Sequence, residues 1–311
     1  MWRLARRWCL RPSISLLVSQ RRAFSSGAGG EDIFERYPSI ENSTPKRIEA
    51  LQSKGMALDE WIATEKVHGA NFSLYSIAGQ SNLQFAKRSG MLPRSEHFFG
   101  YHLLIPELTE RMGRCRELLA QSLNEQPHVV VVNGELFGGK YDHPQVPTRR
   151  TTVLVDGKQR TAGAVQTDAF PQYSPDLHFY AFDMQYKIAP YAPTFTRLTY
   201  DAALRIFEQV PGLLYAKPIL RGPLYKILAF NVDKFQTTIP AQLGLGNYPL
   251  QDNWAEGIVV RHARRGNHSL TRPTARRRPS SKSNRPPFRK SPPTPPTAPG
   301  QMCCSPSGIT P

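Results

Sequence analysis

The run Val129-Val130-Val131-Val132-Asn133-Gly134-Glu135-Leu136-Phe137-Gly138-Gly139 constrains this chain more than any other stretch. Apolar side chains at successive positions leave no face for solvent, so the segment reads as a strand covered on both sides, one that ends in a carboxylate and paired glycines. The flanking pattern is mixed. Residues 45–55 predict a short helix with Ser43 or Thr44 as cap and Pro45 in the first turn. Residues 60–65 are strand-like, and residues 71–75 and 83–87 predict a hairpin around Gly79-Gln80-Ser81-Asn82. Residues 98–123 have helical periodicity interrupted at Pro106, residues 177–184 alternate into Phe182-Asp183, residues 200–209 predict a helix, and residues 257–261 a strand opening on Glu256. Short strands mixed with helices and hairpin turns predict an α+β fold with mostly antiparallel sheets. Gly244-Leu245-Gly246 lacks the strand, third glycine and helix of a dinucleotide fingerprint, which excludes a Rossmann reading.

The formal charge of +16 suggests a nucleic-acid binder, but the charge is not evenly spread. Residues 1–30 hold six arginines and no acid, and residues 267–311 hold six arginines, two lysines and no acid. Removing those fourteen from the 40 basic residues leaves 26 against 24 acidic ones, a nearly neutral body whose basic surface has to come from clusters such as Lys87-Arg88 and Arg149-Arg150. Residues 1–26 combine arginine and serine with interspersed apolar residues, as a mitochondrial transit peptide does; a disordered basic arm is the alternative. The tail, with eleven of the 28 prolines and few large apolar residues, is expected to be disordered from residue 267 on. One domain is therefore expected over residues 31–266. Of four cysteines only Cys115 falls in that body, which fits a reducing compartment and describes neither a disulfide framework nor a metal site.

Chemistry enters at Thr64-Glu65-Lys66-Val67-His68-Gly69-Ala70-Asn71-Phe72. A lysine with a reference pKa of about 10.4 is a poor nucleophile at neutral pH unless neighbouring cations, a metal ion or desolvation expose its lone pair. Gly69 would let the backbone approach a bound nucleotide, and the Asn71 amide can hold a ribose or phosphate oxygen. A lone Lys-x-x-Gly is usually a solvated loop, so the weight falls on three further acidic strand ends: Glu135, Asp183 and Glu256.

With Lys66, these carboxylates match in order the motifs of the covalent nucleotidyltransferases. Glu65-Lys66-Val67-His68-Gly69-Ala70-Asn71-Phe72, Ala86-Lys87-Arg88-Ser89-Gly90, Phe98-Phe99-Gly100-Tyr101-His102, Phe170-Pro171-Gln172-Tyr173-Ser174-Pro175 and Leu243-Gly244-Leu245-Gly246-Asn247-Tyr248-Pro249-Leu250 resemble the RNA-editing ligases of kinetoplastid mitochondria. Ile33-Phe34-Glu35-Arg36-Tyr37 and Trp61-Ile62-Ala63-Thr64-Glu65-Lys66 are most similar to the second of their two paralogues. The resemblance, over residues 33–265, implies a nucleotidyltransferase adenylation domain in which Lys66 forms lysyl-AMP. It implies that Ser39 and Ile40 meet the adenine edge, that Glu65, Val67 and Asn71 line the nucleotide, and that Arg88 holds ribose or phosphate. Phe182 would stack on adenine, Glu135 and Glu256 would serve as ribose and metal-assisting carboxylates, and Arg261 would hold a basic position. The implied cofactors are ATP and Mg²⁺. The implied partners are nicked RNA bridged by a guide RNA and the proteins of an editing complex for uridine insertion and deletion, in the mitochondrial matrix. Taken singly, Phe182 also suits a core position, Glu135 and Glu256 a turn cap, and Arg88 a surface ion pair.

The family's adenylation domain closes with a strand bearing Lys-x-Lys that contacts the triphosphate, and no Lys-x-Lys follows Arg265. Read in a shifted frame, the codons of residues 279–291 permit an apolar strand carrying one, so the tail is expected to be an out-of-frame translation. The family's C-terminal docking region is likewise expected to have no counterpart in this sequence. A catalytically inactive RNA-binding or scaffold protein is the alternative function.

Overall fold

The computed structural model describes residues 33–148, 151–264 and 269–273. The expected presequence, Arg149-Arg150, the tail beyond residue 273 and Cys9, Cys303 and Cys304 lie outside the described residues.

After β1 (Glu41–Asn42), α1 (Pro45–Ser53) starts on Thr44, whose side chain accepts from Arg47 N. It leads through a 3₁₀ turn to β2 (Trp61–Glu65). β3 (Ala70–Ile77) and β4 (Gln84–Lys87) form the expected hairpin, extended by β5 (Gly90–Met91). The break expected at Pro106 lies earlier, at Phe99 and Gly100, both at positive φ, while Pro106 sits in the first turn of α2 (Ile105–Leu123), where its missing N–H costs nothing. β6 (Val129–Lys140) is followed by the small hairpin β7 (Thr152–Val155) and β8 (Lys158–Thr161), and then by β9 (Ser174–Lys187). β10 (Thr196–Arg197), α3 (Tyr200–Phe207), β11 (Leu214–Tyr215), β12 (Pro218–Gly222), α4 (Leu224–Leu228) and α5 (Ile239–Gln242) precede β13 (Gly257–His262) and β14 (Ser269–Pro273).

Two sheets carry the fold. The first runs β1-β14-β13-β2-β12; the second runs β10-β9-β6-β3-β4-β5, with β11 also on β9. Apart from the parallel pairs β1–β14 and β11–β9, the named strands pair antiparallel, as an α+β chain of this pattern predicts. The valine run sits at the centre of the second sheet. Val130 and Val132 pack with Leu108, Met112, Cys115 and Leu119 of α2, while Val129 and Val131 pack on the opposite face with Tyr75 and Ile77. In the first sheet Trp61, Ala63, Ile258, Val260 and Leu270 pack with Leu51 of α1 and Ile227 of α4.

Two expectations are corrected. The body does not stop at residue 266: β14 continues it, because a strand flanked by β13 and β1 satisfies its backbone groups without needing an apolar composition. Glu135 and Asp183 are not strand ends. β6 runs on through Gly138 and Gly139, both at positive φ, and β9 through Asp183 to Lys187.

Candidate functional site

The chain passes from the first sheet to the second between β2 and β3, and Lys66 is the first residue of that crossing. Its backbone N–H donates to Gly257 O (3.0 Å). The crossing is tight at Gly69, where a Cβ would stand 2.1 Å from Leu136 O; packing against β6, rather than nucleotide approach, demands this glycine.

A cavity of about 350 Å³ lies between the sheets. One wall is a cross-strand row: Asn42 pairs with Thr271, Thr271 with Val259 and Val259 with Thr64. Facing it is a second row, in which Asn71 pairs with Glu135 and Glu135 with Tyr180. All seven line the cavity. Alternation along β13 sends Val259 and Arg261 to the cavity and Ile258 and Val260 to the core. On β9 a bulge does the aiming. Asn133 pairs with Asp183 and Gly134 with Ala181, so Phe182 has no partner, and the side-chain alternation shifts by one. Phe182 reaches the cavity by alternation from Tyr180, and the bulge after it turns Asp183 to the residue 37–42 segment while Ala181 and Met184 share one core.

That segment closes the site. Tyr37 Oη donates to Asp183 Oδ2 (2.8 Å), and the Tyr37 ring meets Phe182 edge-on at 5.2 Å. Arg88 Nη1 donates to Ser39 Oγ (2.9 Å). Beneath Phe182 lies Arg261, its guanidinium 5.4 Å from the ring centre and its Nη1 donating to Phe182 O (2.8 Å). Burial opposes the charge of Arg261, but the neighbouring Tyr37 and Asp183 raise its pKa, so it remains a buried cation. Burial raises Asp183, partly offset by Arg261 and Arg197.

Lys66 Nζ lies 2.5 Å from Glu256 Oε2. Burial would raise Glu256, but hydrogen bonding from His68 and the charge of Lys66 outweigh it and hold this carboxyl below its ordinary value. His68 stands between Glu256 (3.6 Å) and Asp168 (3.5 Å), while its backbone N–H donates to Tyr173 Oη (2.8 Å). Glu135 is pushed up to about 8, chiefly by burial and also by Glu256, against the pull of Lys66 and Arg88. Glu65 is raised by burial although Thr237 and Thr238 both donate to it.

Ser39, Ile40, Glu65, Lys66, Val67, Asn71, Arg88, Glu135, Phe182 and Arg261 thus line one cavity, and Glu256 reaches it through Lys66. Asp183 lies behind Phe182 rather than beside the lysine. Tyr37, Asn42, Thr64, Tyr180, Val259 and Thr271 also line the cavity; Tyr37 and Thr64 lie in stretches that carry the family resemblance, whereas Asn42, Tyr180, Val259 and Thr271 are brought there by strand register and are not evident from sequence motifs. Among the described residues no three His, Cys, Asp or Glu side chains are grouped to cage a metal ion. Glu135 and Glu256 nonetheless offer hard oxygen donors, which suits Mg²⁺, an ion usually held by one or two carboxylates together with substrate phosphates. No described helix is long and apolar enough to cross a membrane.

Residues 59–277 match the family model described as RNA ligase. The mitochondrial RNA-editing ligase 2 of Trypanosoma brucei brucei is 59% identical over 238 residues, covering 76% of this chain and 57% of that protein. The mitochondrial RNA-editing ligase 1 of the same organism is 45% identical over 243 residues, 76% of this chain and 52% of that protein. The chain thus spans about half the length of these relatives. Among solved structures, an RNA ligase of Naegleria gruberi with ATP and manganese aligns at 15% identity and a TM-score of 0.47, over 78% of this chain and 57% of that one.

Proposed function

The chain belongs to the RNA ligase family, and on that premise we propose that its two-sheet body is an ATP-dependent adenylation domain that seals nicked RNA through a lysyl-AMP intermediate. The observation that carries this reading is the convergence of Lys66, Arg88, Glu135, Phe182 and Arg261 on one cavity, with Glu256 on the Lys66 amine.

The purine lies against Phe182, whose ring is held from the edge by Tyr37 and from below by Arg261. Ser39 and Ile40 meet the adenine edge, Glu65, Val67 and Asn71 flank the nucleotide, and Arg88 meets its ribose or phosphate. The Lys66 amine, freed of its proton, attacks the α-phosphate; a P–N bond forms and the bond to pyrophosphate breaks. AMP then passes to an RNA 5′-phosphate, and a neighbouring 3′-hydroxyl displaces it, forming the phosphodiester bond. Glu135 and Glu256 would hold Mg²⁺, which supplies charge neutralisation on the phosphates when bound. Arg88 and Arg261 stabilise negative charge from the protein side.

By analogy with the relatives named as mitochondrial RNA-editing ligases, the substrate is a nick in edited RNA bridged by a guide RNA, the partners are editing-complex proteins and the site of action is the mitochondrial matrix. The arginine- and serine-rich composition of residues 1–26, read as a transit peptide, supports import. The tail beyond residue 273 is proposed to be an out-of-frame translation; one uninterrupted frame in the transcript would refute it.

Incubation with α-labelled ATP and Mg²⁺ tests the reading. The expected result is a covalent, acid-labile label that is lost in Lys66→Ala. Failure of the native chain to take label at any ATP concentration would instead support a catalytically inactive RNA-binding or scaffold protein, an alternative favoured by β14, which carries Ser269, Thr271 and Arg272 and no lysine.

A further inference from the structure

We propose that Thr271 is a positioning residue that sets nucleotide affinity by fixing the cavity wall formed by residues 37–42; this rests on the reading of the cavity as a nucleotide site. The wall is an irregular segment with only a two-residue strand of its own, and side chains pin it at three places. Tyr37 is tied to Asp183 of β9, and Ser39 to Arg88 beyond β4, both on the second sheet. The third pin belongs to the first sheet: Thr271 Oγ1 donates to Asn42 Oδ1 (2.8 Å), and Ser43 N donates to Thr271 O (2.9 Å).

The chemistry of the pin is specific to the hydroxyl. Thr271 is buried, stands between Asn42 and Val259 in the cross-strand row, and lines the cavity itself. Its hydroxyl is the hydrogen-bond partner that holds the Asn42 side chain. Without it, Asn42 has no fixed rotamer at the cavity face, and the wall keeps its backbone pairing to β14 but loses its side-chain register. A ligand that needs Ser39 and Ile40 in place must then order the wall itself, which weakens binding. Chemistry at Lys66, on the crossing between the sheets, stays intact once the ligand is bound.

The test uses the full chain and three variants: Thr271→Val, which keeps the shape and removes the hydroxyl; Thr271→Ser, which restores it; and Asn42→Ala, which removes the partner. ATP binding is measured by direct titration, and lysyl-AMP formation by label as a function of ATP. Loss of one buried hydrogen bond predicts about fivefold weaker binding in Thr271→Val, with the maximal labelling rate changed less than about twofold on the same principle and near-native affinity in Thr271→Ser. Asn42→Ala should weaken binding similarly, and combining it with Thr271→Val should add nothing further; this carries the test if the valine variant does not fold. Equal affinity in the native chain, Thr271→Val and Asn42→Ala would overturn the inference alone. ATP binding without labelling of the native chain, together with the expected variant effects, would sink the ligase reading and support this one. Absence of ATP binding would overturn both.

Discussion

Lys66 Nζ and Glu256 Oε2 stand 2.5 Å apart, so the carboxylate that precedes β13 holds the nucleophile that follows β2. The pairing orients the amine toward the cavity, and the amine has to give up a proton before it attacks.

Glu256→Gln removes this carboxylate. Lysyl-AMP formation is expected to fall by at least about tenfold, a loss of roughly 1.4 kcal/mol of transition-state stabilisation. The pKa of Glu256 is lowered in the folded state from 4.5, so its contribution to stability is present above that ordinary value and fades as pH falls through the lower folded value. The difference in melting temperature between native chain and variant should therefore shrink between pH 7 and pH 3. A difference independent of pH would contradict the assignment.

Glu135 has the opposite sign. Its folded pKa is raised from 4.5 to about 8, so the folded state retains a proton that the unfolded state releases, and stability declines as pH rises across that interval. Glu135→Gln, lacking this proton, should gain on the native chain by at most about 1.4 kcal/mol per pH unit within the window. Denaturant titrations of both proteins at pH 5, 6.5 and 8 give the slope; parallel pH profiles would refute it.

Gly69→Ala places a methyl group 2.1 Å from Leu136 O, a backbone atom that cannot move without disturbing β6. A stability loss of about 2–4 kcal/mol is expected, accompanied by loss of labelling, because the crossing that carries Lys66 must shift. Thermal unfolding measures the first effect; an unchanged melting temperature would show that the crossing yields more readily than its packing indicates.

Phe182→Leu retains an apolar side chain but loses the flat ring. Stacking is worth about 0.5–1.5 kcal/mol, so the ATP concentration for half-maximal labelling should rise by about two- to tenfold, with little change in stability. An unaltered ATP dependence would remove Phe182 from purine binding.

Much of the fold is legible in the sequence, and the reasons differ by element. Four adjacent valines demand cover on both faces, and the structure supplies it with Leu108 and Met112 on one side and, on the other, Ile33, Phe34 and Phe195 packed against the cluster that Val129 and Val131 form with Tyr75 and Ile77. The Thr44 cap and the hairpin after Ile77 are local chemistry. The position of Asp183 is not legible, because the bulge at Phe182 depends on the register of β6 against β9 and changes which face the following residues take. β14 is hidden for a similar reason: Ser269-Leu270-Thr271-Arg272-Pro273 has the composition of a tail, and its strand character comes from pairing with β13 and β1. Within the site, Lys66, Arg88 and Phe182 lie in motifs, whereas Asn42 and Thr271 are placed by pairing across the sheet.

The bond between Asn42 and Thr271 joins residues 229 positions apart, which gives the site a calendar during synthesis. At about 5–20 residues per second, roughly 10–50 s separate the making of the wall from the making of the strand that fastens it. A nascent chain can complete the second sheet, with its own core and its two pins on the wall at Tyr37 and Ser39, while the third pin at Asn42 is still to come. The nucleophile is thus made early and its enclosure is finished late, so a ribosome that stalls before residue 271 would hold a lysine beside a wall fastened to one sheet only.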